Sequence, residues 1–368
     1  MKSAGVDCLL LTPGADMFYL TGFEHGHAME RLLALVLRAD GSAQWIVPAM
    51  NVPQVEDFAQ SGESVRGWTD ADWYLPALKS AVGDAKTIAF DDDARSAFLL
   101  DLMAVAPHAK LRRASEVLQG LRLIKDHAEL ALLRKAGAQV DSVITAAVAL
   151  CRAGRTESEI DEDLKALMLS ADPASAIAFT IVASGPNSAL PHHETAHRKL
   201  QQGDVIILDF GTRIGAPVET KHGPALSRAY GYQSDITVTC AVGEPADRDA
   251  KKVYDIVWQA QQAAIALVRP GVTCEQVDAA ARKVIEAAGY GPQFLHRTGH
   301  GLGIQGHEPP FIRPGNSQVL EKGMVFSIEP GVYLAGRFGV RLEIIVAVGA
   351  STAELINKVS AQQMPHSE

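Results

Sequence analysis

Short apolar runs alternate with helically spaced segments through the N-terminal third of the chain. Residues 6–12, 31–38, 43–48 and 86–90 have the compact apolar character of buried strands. Between them, residues 52–60, 73–82 and 94–105 place apolar side chains at helical spacing. Strand and helix in alternation predict an α/β layer built on a parallel or mixed sheet. No glycine-rich phosphate loop stands at any strand-to-helix turn of this region, so it offers no nucleotide site.

The pattern changes at residues 118–126. A long amphipathic helix is predicted over 127–152, and a second starts at Thr156, which with Glu159 forms a capping box. Strands follow at 177–183, 205–210 and 236–242. These changes divide the chain into residues 1–122 and 123–368. The second part repeats itself. Residues 147–156 align with residues 264–273, always 117 positions apart, with Asp161 and Asp278 in the same register. In each copy a glycine (Gly154, Gly271) ends a helix and a threonine (Thr156, Thr273) starts the next. Two similar halves are expected, each a helix pair followed by strands, with a ligand site between them.

Composition narrows the function classes. Forty-seven percent of residues are apolar and 21% charged, as in ordinary folded domains. The net charge is −9, against the basic stripe that nucleic-acid binding needs. No apolar run is long enough to span a membrane, and the N-terminal residues show no secretory signal. Cys8, Cys151, Cys240 and Cys274 are scattered, which excludes a thiolate zinc site and suits a reducing cytoplasm.

The candidate chemistry lies in the second part. Asp209 ends the apolar strand Val205-Ile-Ile-Leu-Asp-Phe-Gly211, and Asp235 opens Ser234-Asp-Ile-Thr-Val-Thr239. His300 sits in Thr298-Gly-His-Gly-Leu-Gly303, Glu329 in Val325-Phe-Ser-Ile-Glu-Pro-Gly331, and Glu343 in Gly339-Val-Arg-Leu-Glu-Ile-Ile345. Carboxylates inside or beside apolar strands are costly unless they are paired or bound to a metal, and several together repel one another, which cations would resolve. Four negative charges match two divalent ions, with one imidazole completing the set. Oxygen-rich ligands favour Mn²⁺, with Co²⁺ or Zn²⁺ as alternatives.

These stretches resemble the pita-bread metallopeptidases, in particular their Xaa-Pro branch of prolidases and aminopeptidases P. The matching pieces, in family order, are Ala183-Ser-Gly-Pro-Asn-Ser-Ala-Leu-Pro-His192, Leu208-Asp-Phe-Gly211, Ser234-Asp-Ile-Thr237, Thr298-Gly-His-Gly-Leu-Gly303, His307-Glu-Pro-Pro310, Ile328-Glu-Pro-Gly331 and Gly339-Val-Arg-Leu-Glu343. Tyr19-Leu-Thr-Gly-Phe23 is similar to a phrase of the family's creatinase-like N-terminal domain. The resemblance implies an α/β creatinase-like domain over 1–122 and an α+β pita-bread domain with a pseudo-two-fold repeat over 123–368. It implies a dinuclear site of Asp209, Asp235, His300, Glu329 and Glu343, and hydrolysis of Xaa-Pro bonds by a hydroxide bridging the ions.

Further roles follow from the resemblance. Glu329 also handles the proton, His307 stabilises the intermediate, His296 belongs to the proline pocket, and His192 closes over the substrate. Arg341 shares a strand face with Glu343 and either orients ligands or meets a substrate carboxylate. The implied partners are a proline-containing peptide and a second copy of the chain in a homodimer. A non-catalytic peptide-binding protein and a hydrolase of a non-proline substrate are the alternatives. Asp209 and Asp235 stand further apart than is usual in the family, and residues 213–228 between them read as a polar loop. At Phe311 such dipeptidases often carry an arginine that reads the substrate carboxylate, and Arg313 is a substitute two positions on.

Overall fold

The computed structural model describes residues 1–25, 30–220, 222–358 and 360–367. It divides into two compact units, Met1–Arg122 with Ala216–Tyr230, and Leu123–Gly215 with Gly231–Glu368.

The first unit is a mixed sheet flanked by helices. Its strands are β1 (Cys8–Leu11), β2 (Ala34–Arg38), β3 (Ala43–Pro48), β4 (Ser64–Trp68), β5 (Thr87–Phe90) and β6 (Lys110–Arg113), in the order β4-β3-β2-β1-β5-β6. The helices are α1 (Ala15–Thr21), α2 (Val52–Glu56), α3 (Leu75–Val82), α4 (Ser96–Val105) and α5 (Ser115–Leu123). The pairs β1–β2 and β2–β3 are antiparallel, and β3–β4, β1–β5 and β5–β6 are parallel. The edge strands β4 and β6 escape the hydrophobic pattern because they are short and polar, and β6 is Lys-Leu-Arg-Arg. Charged edges block pairing with other chains. Two layers of apolar side chains fill the sheet faces, one around Leu10, Ile46 and Leu78, the other around Leu11, Trp45 and Phe23.

The second unit opens with α6 (His127–Leu150), started by a capping box between Asp126 and Glu129, and α7 (Glu157–Ala171). Next come β7 (Ala176–Ser184), β8 (Val205–Thr220), β9 (Gly223–Gln233) and β10 (Ile236–Val242), then α8 (Ala250–Leu267) and α9 (Cys274–Ala287). The chain ends with β11 (Gly299–Gly301), β12 (Glu308–Ile312), β13 (Val325–Ile328), β14 (Gly331–Leu334), β15 (Phe338–Arg341), β16 (Ile344–Val348), β17 (Ala353–Leu355) and β18 (His366–Ser367). One sheet has the order β18-β10-β8-β7 with β9 on β8, and another has β12-β11-β13-β16-β17. A hairpin of β14 and β15 completes the unit. Among the described residues no helix is long and apolar enough to cross a membrane.

The repeat is visible in hydrogen bonds. Gly154 and Gly271 both have φ +89°, which favours glycine, and their N–H groups donate to Leu200 O and Leu320 O at corresponding places. Glu159 and Gln276 accept from the N–H of Thr156 and Thr273 at 2.8 and 2.9 Å.

Two sequence expectations are corrected here. Residues 213–228, read as a polar loop, lie mostly in the hairpin β8–β9; within them, residue 221 lies outside the described residues. Ile214, Ala216 and Val218 alternate inward along β8, each about 5% exposed or less. The end of this hairpin packs within the first unit: Tyr230 stacks on Phe18 at 4.7 Å and Ser227 Oγ donates to Glu24 at 2.6 Å. The apolar run 339–345 is not one strand. It is divided between β15 and β16, and Leu342 and Glu343 lie in the break.

Candidate metal centre

The five predicted ligands come from five places in the second unit. Asp209 sits within β8 opposite Thr237 on β10. Asp235 precedes β10, His300 is the middle residue of β11, Glu329 follows β13, and Glu343 lies between β15 and β16. Backbone hydrogen bonds hold the last two: Glu329 N–H donates to Thr298 O at 2.8 Å and Glu343 N–H to Thr237 O at 3.1 Å. The glycines beside His300 permit close strand approach. A Cβ at Gly299 would stand 1.9 Å from Ser327 O, and one at Gly301 would stand 2.3 Å from Pro309 O.

Potential ligand atoms of Asp209, Asp235 and Glu343 lie within 4.8 Å of one another, as do those of His300, Glu329 and Glu343. His307 joins Asp235 and His300 in a third such group. His300 Nδ1 faces Gly301 O at 3.1 Å, and a carbonyl only accepts, so this nitrogen carries the proton. The bare Nε2 therefore points at Glu329 Oε1 (3.3 Å) and Asp235 Oδ2 (3.7 Å). Burial, then His307, lowers the His300 pKa to about 3, so a charged imidazole does not bridge these acids.

The acids lack protein donors to match. Asp209 Oδ1 and Glu343 Oε1 are buried without a hydrogen-bond partner. Burial raises Glu329 to about 7, with Asp209 adding to the rise and Arg341 opposing it. Asp235 and Glu343 are also pushed well up, first by burial and then by neighbouring carboxylates. Lone pairs from four carboxylates and one imidazole, converging in a buried space, fit divalent cations.

Around them is a cavity of about 480 Å³, lined also by Phe179, Ile181, Pro191 and Arg297. His192, His296, His307 and Arg341, the other predicted site residues, all line it. His192 and His307 are exposed. The His307 ring lies 3.7 Å from that of His300, and its Nδ1 accepts from Arg297 Nη2 at 3.2 Å. An arginine only donates, so in the neutral ring Nε2 holds the proton and is the free donor.

Both nitrogens of His296 are taken. Nδ1 donates to Arg297 O at 2.7 Å, and Nε2 accepts from Tyr333 Oη at 2.8 Å. Burial lowers this histidine to about 4. Its ring faces, rather than its nitrogens, remain for a substrate.

Arg341 is likewise committed. Nε donates to Thr237 Oγ1 at 3.0 Å, Nη1 to Tyr333 Oη at 2.9 Å and Pro191 O at 3.2 Å, and Nη2 to Asp209 Oδ2 at 2.7 Å. Burial opposes its charge, but Tyr333, Asp209 and Glu329 outweigh that and hold its pKa well above the ordinary value. Of the two readings of Arg341, the geometry supports the orienting one.

Sequence reasoning missed Tyr333, Thr237, Ser327 and Arg297. Thr237 Oγ1 donates to Glu343 Oε2 at 2.7 Å, and Ser327 Oγ donates to Glu329 Oε1 at 3.1 Å. Each stands two residues from a predicted ligand, and that spacing is the signal that was available. Arg313 does not line the cavity; it is exposed and donates to Pro314 O. A buried ion pair at 2.7 Å between Lys125 and Glu308 anchors the start of β12, beside His307.

A two-halved fold with acids and imidazole converging in a cavity defines a class of metal-dependent hydrolases. Residues 131–350 match Metallopeptidase family M24, and residues 1–124 match the Creatinase/Prolidase N-terminal domain. The chain is 40% identical to a probable dipeptidase PepE of Mycobacterium tuberculosis, over 99% of this chain and 92% of that protein. It is 35% identical to an Xaa-Pro dipeptidase of Lactobacillus helveticus, over 93% of this chain and 90% of the relative. The crystal structure of dipeptidase PepE from Mycobacterium ulcerans superposes with a TM-score of 0.90 at 39% identity, covering 99% and 94% of the two chains. The chain belongs to metallopeptidase family M24, with the pita-bread fold and a creatinase-type N-terminal domain.

Proposed function

We propose that the chain is a two-metal Xaa-Pro dipeptidase. Asp209, Asp235, His300, Glu329 and Glu343 hold two divalent ions, with Mn²⁺ the best match to mainly carboxylate oxygen. Two such ions, when bound, supply a hydroxide near neutral pH and polarise the scissile carbonyl. The observation that carries this reading is the buried, donor-poor carboxylate set facing the bare Nε2 of His300.

The chain's own residues do the rest. Glu329 is the carboxylate that we assign to take up and return the proton, as the family resemblance implies. His307 Nε2–H donates to the oxygen that gains charge as the carbonyl is attacked. Arg341 fixes Asp209, and Thr237 fixes Glu343. His296, Phe179 and Ile181 offer ring and apolar surface to a proline, whose imide nitrogen has no hydrogen to be gripped. His192, exposed at the same cavity, covers the bound peptide. The four cysteines are free and buried, which suits a reducing compartment such as the cytoplasm.

The test is hydrolysis by metal-stripped protein with Mn²⁺, Co²⁺ or Zn²⁺ added back, on Xaa-Pro dipeptides and matched dipeptides without proline. Metal-dependent cleavage selective for Xaa-Pro supports the reading. Turnover without metal, or equal turnover of both substrate sets, rejects it.

A further inference from the structure

Two guanidinium groups line the cavity, and they differ in what they can still bind. Arg341 is 4% exposed, and each of its nitrogens donates to a protein oxygen. Arg297 is half-buried, and its hydrogen bond within the cavity goes to an imidazole, His307 Nδ1, rather than to a carboxylate. The guanidinium lies over the Phe311 ring, 4.6 Å from its centroid. An arginine has five N–H donors, so one bond to His307 leaves others for a ligand.

Charge balance sharpens the contrast. Glu329 is the carboxylate that favours the Arg297 cation, and it belongs to the proposed ligand set. Once two divalent ions neutralise the four acids, Arg297 has no uncompensated anion left in the cavity. Its plane is held on one face by Phe311, through a cation–π contact, and at one nitrogen by His307. Such a group is prepared to bind a planar oxyanion from the substrate.

We infer that Arg297 binds the free α-carboxylate of the residue after the scissile bond. This deepens the dipeptidase reading of the cavity and rests on it. A dipeptide presents a carboxylate one residue beyond the bond that is cut. A longer peptide presents a neutral amide there and loses the charge-assisted hydrogen bond. The same cation repels an α-ammonium, which sets the direction in which the peptide lies. Arg297 thus selects dipeptides over longer chains. Phe311 acts through Arg297 as a positioning residue.

The experiment compares an Xaa-Pro dipeptide, its C-terminal carboxamide and an Xaa-Pro-Gly tripeptide. The metal-loaded enzymes are wild type, Arg297→Gln and Arg297→Lys. Wild type should favour the free acid. Arg297→Gln should lose about 10- to 100-fold in kcat/KM on the free acid, through KM, and less than about threefold on the carboxamide. Arg297→Lys should recover part of the loss, since it keeps the charge without the fork. Equal losses on acid and carboxamide would mean that Arg297 acts only through His307, and would overturn the proposal, as would no loss on either. If wild type cleaves dipeptides generally but not Xaa-Pro selectively, the proline reading fails. The acid-to-carboxamide ratio on those dipeptides then still decides the role of Arg297. No dipeptide turnover at all overturns both.

Discussion

Arg341 and Asp209 form a buried ion pair of 2.7 Å, yet only one oxygen of the aspartate takes part. Oδ2 accepts from the guanidinium, while Oδ1 is buried with no donor. The arginine fixes the orientation of the carboxylate and leaves one lone-pair face toward the other acids.

Arg341→Met should therefore injure metal binding before it injures the fold around it. Partners that orient metal ligands are typically worth about 10- to 100-fold in affinity. We expect a loss of that size, with Mn²⁺ titration of the stripped protein as the measurement. Removing one partner of a buried pair also costs about 3–5 kcal/mol when the other stays charged. The stripped variant should melt earlier than stripped wild type, and equal Mn²⁺ should widen the gap, because a weaker site gains less stability from the ion.

The metal-free protein should become less stable as pH rises above about 6.5. Glu329 is raised to about 7, and Asp235 and Glu343 are also raised well above the ordinary carboxyl value, so the folded state keeps protons that the unfolded chain has released. Stability from these groups is complete below the unfolded carboxyl pKa and is lost as pH climbs through the folded values. His296 and His300, lowered to about 4 and about 3, work in the opposite sense. Their contribution is present above the ordinary histidine pKa and is lost as pH falls toward the folded values. Between about pH 4.5 and 6.5 the two sets oppose each other; above that only the carboxyls act. Each carboxyl still protonated then costs about 1.4 kcal/mol per pH unit. Tm of stripped protein measured from pH 6.5 to 8 should fall, and added Mn²⁺ should flatten the curve.

His307→Ala should lower kcat by about 10²- to 10³-fold, the usual cost of a lost oxyanion donor, while bound metal is unchanged. The control is Mn²⁺ content measured on the same sample. A parallel loss of metal would instead make His307 a ligand, as its place near Asp235 and His300 allows.

Tyr333→Phe removes the hydroxyl that accepts from Arg341 and donates to His296. It leaves a buried imidazole nitrogen without a partner, at a cost of about 1–3 kcal/mol. We expect a lower Tm of the stripped protein and a raised KM, because His296 loses its fixed ring orientation. Steady-state kinetics and a melting curve check both.

Much of the acidic cluster was legible because each acid lies in or beside an apolar strand pattern, where a bare charge is improbable on energetic grounds. Asp209 within Val205-Ile-Ile-Leu-Asp-Phe-Gly211 shows this, and it lies buried in β8. Which acid Arg341 and Thr237 each serve was hidden, because each pair joins separate elements far apart along the chain. Arg341 reaches Asp209 over a separation of 132 residues. Arg297 stands just before the Thr298–Gly303 motif with no signal of its own, and the stacking on Phe311 shows what holds it. The 213–228 segment was misread because Gly215, Pro217, Gly223 and Pro224 suggested a loop. The period-two burial of Ile214, Ala216 and Val218 was the better guide.

The central claim is that this acidic cluster holds a pair of cations. Metal-stripped wild type, equilibrated with Mn²⁺ and freed of excess, should retain two ions per chain by elemental analysis. Asp235→Ala and Glu343→Ala should each retain fewer. Wild type that retains none, or variants that keep both ions, would contradict the account.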